Sequence, residues 1–83
     1  MKATRYFTEQ VLRKRPYLDV AWFDPILKNP LRRIAQPDKR IRFWGKVIDT
    51  RDGQERILRV VTLDDGETLH NAFFDRGFRE DLP

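Results

Sequence analysis

The residue types best suited to proton transfer and phosphate binding in this chain are one histidine and three cations in its second half. His70 is the only histidine, and its ordinary pKa near neutrality lets it accept or donate a proton there. Arg42, Lys46 and Arg59 are candidates for holding a phosphate and stabilising charge that develops on it during cleavage. Trp44 stands among them in the sequence and could stack on a base of single-stranded RNA. Together, these residue types are those that RNA binding and phosphodiester cleavage would use.

Each of these residues also has an ordinary structural interpretation. A lone strand histidine is often half-exposed without a chemical role, and the long stems of cations can cover apolar neighbours such as Trp44 and Ile57. A tryptophan in a small domain is often part of the core. Function therefore depends on whether the fold brings His70 and the cations together on one surface.

The composition excludes several kinds of site. The chain has no cysteine, which excludes disulfides and thiolate metal sites. It has no serine and only one histidine, which excludes a serine triad. It contains neither a Gly-rich phosphate loop nor an HExxH motif. We therefore expect no metal and no cofactor.

The size and charge of the chain indicate one small basic domain. Its 83 residues carry 17 Lys and Arg against 13 Asp and Glu, a net charge of +4, and this balance favours anionic partners. No linker or repeat divides the sequence, so we expect a single domain over residues 1–83. No apolar run approaches the roughly 20 residues of a membrane helix, and the N-terminus lacks an apolar signal core. We expect a cytoplasmic protein with no membrane partner.

The first third of the chain carries the signals of two short helices. Thr8 is a candidate N-cap, and Pro16 ends the run that follows it. Asp24 followed by proline predicts the start of a second helix, which must stop near Asn29 because a proline comes next. Both helices are therefore expected before residue 31.

From Leu31 onward the pattern is that of strands. The segments "LRRIAQ", "RIRFWGKVID", "RILRVVTL" and "TLHNAFF" are rich in β-formers, and Asp52-Gly53 and Asp65-Gly66 are hairpin signals between the last three. Helices gathered before a run of strands predict an α+β domain. The expected architecture is two N-terminal helices packed on one face of a three- to four-stranded antiparallel sheet.

The strand register decides which residues share a surface. If both Asp-Gly pairs form two-residue loops, Lys46 faces Arg59 and Val61 faces His70. We call the sheet face that carries these cations the basic face, with predicted members Arg42, Trp44, Lys46, Ile48, Ile57, Arg59, Val61, Leu63, Thr68, His70, Ala72 and Phe74. The opposite, mostly apolar face is expected under the helices, and we call it the helix face: Ile41, Phe43, Gly45, Val47, Leu58, Val60, Thr62, Leu69, Asn71 and Phe73. A three-residue loop at either turn would reverse the parity of one strand and disperse the basic set.

Two segments, "RIRFWGKVIDTRDGQERILRVVTL" and "TLHNAFFDRGF", carry a resemblance to known proteins. With two helices before an antiparallel sheet and a late histidine among basic residues, the chain resembles the RelE/BrnT-like ribonuclease toxins of bacterial toxin–antitoxin systems. The segments cover a little under half of the chain. They are also similar to small bacterial proteins of uncharacterised function that carry an "RxRxWG … LRVVTLxDGxTxHNAFxDR" pattern. This second match is the closer one, and it brings no assigned activity.

The toxin resemblance implies metal-independent cleavage of RNA, in which a ribose 2′-OH attacks the adjacent phosphate. It implies that His70 is the base or acid, that Arg59 and Arg42 bind the scissile phosphate, and that Lys46 supports them. It also implies a cognate antitoxin protein that covers the basic face. The remaining predicted RNA-binding residues are Trp44, Arg76 and Arg40.

Three functions stay open on the sequence alone. The first is a small toxin-type ribonuclease that uses the His/Arg/Lys patch. The second is a non-catalytic module that binds RNA or an acidic protein through the same face. The third is an interaction subunit in which a partner or a second copy of the chain, forming a homodimer, covers the apolar members of that face. The sequence therefore does not decide whether the protein is an enzyme.

Overall fold

The structure, a computed structural model, describes residues 1–81 and has the predicted α+β architecture. Two short helical regions precede an antiparallel sheet. Its four strands are β1 (Arg32–Ala35), β2 (Ile41–Ile48), β3 (Glu55–Thr62) and β4 (Leu69–Phe74). The order across the sheet is β1-β2-β3-β4, so each strand pairs with the next one in the chain.

The first helix begins earlier than the sequence predicts. A π-helical turn, Phe7–Val11, runs directly into an α-helical turn, α1 (Leu12–Lys14). Thr4 rather than Thr8 supplies the capping side chain, because Thr4 Oγ1 accepts the backbone N–H of Phe7 at 3.1 Å. The Thr8 hydroxyl instead donates to the carbonyl oxygen of Thr4 at 3.4 Å. Both apolar ends of the π-helical turn, Phe7 and Val11, are buried.

The second helix also begins one turn before its predicted start. A 3₁₀ turn, Val20–Trp22, leads into α2 (Phe23–Lys28), which ends at Asn29 as predicted. Asp19 caps the 3₁₀ turn by accepting the backbone N–H two residues further on at 2.9 Å. Asp24 therefore lies inside the first turn of α2 and is not its cap.

The core lies between the two helices and the helix face of the sheet. Its most buried sheet residues are Ile41, Phe43, Val47, Leu58, Val60, Leu69 and Ala72. Gly45 allows α2 to approach β2 closely, since a Cβ at this position would lie 3.0 Å from Cδ1 of Ile26 and closer still to its Cγ1. The helices thus occupy one face of the sheet and leave the basic face on the other side.

The loop between β2 and β3 is longer than the two-residue turn that was expected. The Asp49 N–H donates to the Gln54 carbonyl oxygen at 2.8 Å, which encloses residues 50–53. The register between β2 and β3 consequently differs by two residues from the predicted one, so that Trp44 lies opposite Arg59. Because the shift is even, the predicted β2 and β3 members of the basic face still share that face.

Asp49 anchors this loop. Its side chain is 1% exposed, and its Oδ2 forms ion pairs with Arg51 Nη2 at 2.7 Å and with Arg56 Nε at 2.9 Å. Hydrogen bonds from Arg51 hold the pKa of Asp49 well below its usual range; burial opposes them, and Arg56 adds to the lowering. Arg56 also pairs with Asp52. The charges of the loop are therefore satisfied locally.

A β-bulge in β4 changes the predicted pairing with β3. Val61 lies opposite Asn71 and Thr62 lies opposite Leu69, so the ladder skips His70. A bulge of this kind adds one residue to a strand and reverses the parity of everything beyond it.

Beyond the bulge, the parity predicted for β4 is wrong. Ala72 is fully buried in the core, and Phe74, opposite Leu58, packs against that core. Neither residue lies on the basic face. The β4 residue opposite Arg59 is Phe73.

The chain after β4 turns back across the basic face. We call residues 75–80 the strap. Asp75 donates its N–H to the Ile57 carbonyl oxygen at 2.9 Å and accepts the Gly77 N–H on Oδ1 at 3.0 Å. A glycine that follows a chain end such as Asp75-Arg76 is a candidate for a positive φ, but Gly77 does not have one. At the far side of the sheet, Arg32 Nη2 donates to the carbonyl oxygens of residues 79 and 80, both at 3.1 Å.

The N-terminal residues cover the outer edge of β4 at its start. The Leu69 N–H donates to the Lys2 carbonyl oxygen, and the Thr4 N–H donates to the Leu69 carbonyl oxygen, both at 2.9 Å. This contact brings the beginning of the chain beside His70.

Candidate functional site

The site is built on two cross-strand rows of the basic face. The tryptophan row contains Arg32, Trp44, Arg59 and Phe73, one residue from each strand. The neighbouring Arg42 row contains Ile34, Arg42, Val61 and Asn71. The two rows are two residues apart along each strand, which is about 7 Å.

Arg59 is already paired in the tryptophan row. Asp75 Oδ2 accepts from Arg59 Nη2 at 2.9 Å and from Arg59 Nε at 3.1 Å, and it also accepts from Trp44 Nε1 at 2.9 Å. The guanidinium carbon lies 4.9 Å from the centroid of the Phe73 ring and 5.6 Å from that of Trp44. The charge of Arg59 is therefore balanced by a carboxylate within the chain.

The environment of Asp75 favours its ionised form. Its side chain is 13% exposed. Burial alone would raise the pKa of Asp75, but hydrogen bonds from Trp44 and Arg59 outweigh it, and the pKa is lowered. Asp75 is therefore an anion seated between an indole N–H and a guanidinium.

Phe78 of the strap covers Trp44. The two rings stack with centroids 5.6 Å apart and planes at 26°. The Arg32 guanidinium carbon lies 4.8 Å from the Phe78 centroid on the β1 side. Trp44 is only 5% exposed as a result. The candidate base-stacking residue is thus occupied by an aromatic ring of the same chain.

His70 lies at the Arg42-row end of β4, held by the N-terminal residues. Its Nδ1 is 3.0 Å from Thr4 Oγ1, the same oxygen that caps the first helix. The Tyr6 ring lies against the imidazole with centroids 5.1 Å apart and planes at 33°. Tyr6 itself is 47% exposed. The imidazole therefore has a fixed orientation.

The surroundings of His70 favour its neutral form. Burial lowers the pKa of His70 below 6.5, and the positive charge of Arg40 lowers it further. The cation that contributes to the lowering is Arg40, and not Arg59 or Lys46. No buried side-chain nitrogen or oxygen within residues 1–81 lacks a hydrogen-bond partner, and Nε2 has none there. Nε2 of His70 is therefore accessible to solvent.

The other predicted cations lie in different parts of the sheet and the strap. Arg42 is half-buried in the Arg42 row, and neither it nor Arg40 forms an ion pair within residues 1–81. Lys46 is exposed opposite Ile57. It is four residues from Arg42 on β2, which corresponds to about 13 Å. Arg76 is exposed on the strap and lines a cleft of about 330 Å³ with Arg51 and Arg56 as neighbours.

The predicted set thus does not form one patch, and Lys46 and Arg76 lie apart from the other members. Arg59 and Trp44 contact each other beneath the strap, whereas His70 lies beside Arg40 near the Arg42 row. The important residues that the sequence reasoning missed are Thr4, Tyr6, Asp75, Phe78 and Arg32. The first four lie in loops or at a helix end and Arg32 lies on the edge strand β1, and only long-range contacts give them a place at the site.

Within residues 1–81, no group of three His, Cys, Asp or Glu side chains is arranged to hold a metal ion. In the same range, no helix has the length and apolar character needed to cross a membrane. No protein family, curated protein or solved structure matches this chain significantly.

Proposed function

We propose that this protein is an endoribonuclease of the toxin–antitoxin type in which His70 performs the proton transfer. The observation that carries the proposal is the state of the imidazole. Its Nδ1 is held at 3.0 Å by Thr4 Oγ1, its pKa is lowered, and its Nε2 is open to solvent. A neutral, oriented imidazole with one free ring nitrogen has what a general base at neutral pH requires.

The proposed reaction needs no group beyond the side chains of the chain and the RNA itself. Nε2 of His70 takes the proton of a ribose 2′-OH, and the 2′-oxygen attacks the adjacent phosphorus. The P–O5′ bond breaks and the leaving 5′-oxygen takes a proton from solvent water, which gives a 2′,3′-cyclic phosphate and a 5′-hydroxyl end. The proton held on Nε2 of His70 then returns to solvent. This role requires the neutral tautomer with hydrogen on Nδ1, which then donates to Thr4 Oγ1.

Arg42 and Arg40 are the proposed phosphate-binding cations. Arg40 is close enough to His70 to lower its pKa, and Arg42 stands opposite Val61, beside the bulge that contains His70. Neither guanidinium is neutralised by a carboxylate within the described part of the chain. Cations so placed stabilise negative charge as it develops on the phosphoryl oxygens. Arg59, by contrast, is paired with Asp75.

The experiment is cleavage of a short, labelled, mixed-sequence single-stranded RNA by purified wild type and by His70→Ala. We expect a loss of about 10²- to 10⁴-fold in kcat/KM for the variant, which is the usual contribution of a positioned general base or acid. Products of the wild type should end in 2′,3′-cyclic phosphate. Equal cleavage by both proteins, or no cleavage by the wild type on any single-stranded RNA, would refute the proposal.

The cation role is tested separately with Arg42→Ala. Its matched control is Lys28→Ala, because Lys28 is an exposed cation at the end of α2, on the opposite side of the sheet. We expect the first variant to lose roughly tenfold to a hundredfold in kcat/KM and the second to match the wild type. Equal losses in both would show that only net charge matters.

RNA binding without cleavage is the second candidate function. It is favoured by the exposed or half-buried cations of the basic face that form no ion pair within residues 1–81, Arg40, Arg42 and Lys46. Such a surface binds the phosphate backbone with an affinity that falls steeply as salt increases. Salt-dependent binding of RNA that remains intact would support this candidate over the ribonuclease.

The toxin proposal also includes a protein partner, an antitoxin that covers the basic face. Its chemistry should be acidic, to match the unpaired cations. A small adjacent gene that encodes such a protein, and whose product forms a complex with this chain, would support this part of the proposal.

A further inference from the structure

The strap presents two chemical groups to the tryptophan row, in the order in which a nucleotide presents them. Its first group is an anion, the Asp75 carboxylate, seated on Arg59 and the Trp44 indole N–H. Its second group is a flat ring, Phe78, stacked on the indole of Trp44 and flanked by the guanidinium of Arg32.

Each of these contacts has a direct counterpart in RNA recognition. Arginine binds a phosphate with the same parallel N–H donors that it uses for a carboxylate. An aromatic ring and an arginine plane are the surfaces on which unstacked bases rest. The donors under the strap, two guanidinium nitrogens and one indole nitrogen, all point at one acceptor oxygen, Asp75 Oδ2.

The strap is also a separate layer from the core. Neither Phe78 nor Trp44 belongs to the cluster of buried residues between the helices and the sheet. Outside its own turn, the strap is attached through the Asp75 carboxylate, the Phe78 ring and backbone atoms at its two ends, among them the carbonyl oxygens that Arg32 contacts. Its displacement would uncover the row and leave the core packing in place.

We propose that Arg32, Trp44 and Arg59 form a nucleotide subsite for single-stranded RNA, and that the strap fills this subsite as an internal mimic until RNA displaces it. The phosphate of the bound nucleotide takes the place of the Asp75 carboxylate, and its base takes the place of the Phe78 ring. The ligand class rests on the proposed function. The subsite lies one row, about 7 Å, from the Arg42 row, so a nucleotide bound there would bring its neighbour towards His70.

The test is binding of a labelled 2′-O-methyl RNA oligonucleotide, which the 2′-OH mechanism cannot cleave. Phe78→Ala removes the ring that competes for Trp44. We expect it to bind the oligonucleotide about five- to tenfold more tightly than the wild type, the effect of removing one stacked aromatic contact from the closed state. Phe78→Trp, which keeps a stacked ring, should bind as the wild type does.

Two further variants make the result interpretable. Val20→Ala is the matched control, because Val20 is an apolar side chain that is 56% exposed and remote from the basic face; it should bind as the wild type does. Asp75→Asn removes the competing charge and should also tighten binding, so the subsite is tested even if the Phe78→Ala protein does not fold.

Unchanged or weaker binding by folded Phe78→Ala and Asp75→Asn would overturn the subsite. If the two variants bind polyglutamate more tightly than the wild type does but bind the oligonucleotide no more tightly, the ligand class is overturned, since the face would then fit an acidic protein. The outcome is independent of catalysis: a tighter-binding Phe78→Ala protein supports the subsite even if His70→Ala leaves RNA cleavage unchanged. If His70→Ala loses cleavage but Phe78→Ala and Asp75→Asn bind the oligonucleotide no more tightly than the wild type, the subsite alone is refuted.

Discussion

Gly45 offers a direct test of how closely the second helix lies against the sheet. A Cβ at this position would be 3.0 Å from Cδ1 and 3.2 Å from Cγ2 of Ile26, and nearer still to Cγ1. Ile26 is 4% exposed and belongs to the core, so its side chain has little room to turn away. Gly45→Ala must therefore displace α2 or force Ile26 into a poor rotamer.

The expected cost follows from this overlap. Overpacking of a core by one methyl group destabilises proteins by about 1–3 kcal/mol. For a domain of this size each kcal/mol lowers Tm by roughly 4–8 °C. A cost near 2 kcal/mol would thus lower Tm by about 8–16 °C, a large part of a total stability expected to be about 4–12 kcal/mol.

The assay is thermal unfolding followed by circular dichroism. Gly77→Ala is the control, because its Cβ would meet only Asp75 Oδ1 at an ordinary 3.6 Å. In this control the loss of backbone freedom in the unfolded chain should cost no stability. A Gly45→Ala protein with the Tm of the wild type would refute the close helix–sheet packing.

Two other predictions concern His70. Because its pKa in the folded protein is lowered from 6.5, the unfolded chain binds more protons just below that pH, so the free energy of unfolding should fall as the pH drops from neutrality through 6.5. Urea unfolding should show this slope in the wild type, and a His70→Gln protein with an unchanged slope would contradict it. Thr4→Ala removes both the helix cap and the contact with Nδ1 and should cost about 1 kcal/mol. Thr4→Ser should restore both the stability and the imidazole chemical shifts seen by NMR, and failure of this rescue would exclude the hydroxyl as the cause.

The element order and most of the facing pattern could be predicted from the sequence. Alternation along β2 and β3 places Trp44 and Arg59 on one face, and this holds although the loop is longer than expected. It holds because an even slip preserves which side chains share a face. The two-residue loop was wrong because Asp49, with Arg51 and Arg56, stabilises a wider turn.

The surroundings of the site could not be predicted in the same way. The bulge at His70 lies where β4 is paired on both sides, with β3 and with the N-terminal residues that bond to Leu69. Asp75 is a turn residue whose Oδ1 accepts the Gly77 N–H, but its second oxygen reaches back to Arg59 on β3. Such contacts join parts of the chain that no local pattern relates.

The bulge has a consequence for the design of experiments. The ladder between β3 and β4 passes from Leu69 to Asn71, so no cross-strand pair includes residue 70. Position 70 can therefore be substituted with many amino acids, because the pairs Thr62–Leu69 and Val61–Asn71 on either side of it still fix the strand register. Changes in activity across such a scan would report the chemistry of the side chain at position 70 separately from the integrity of the sheet.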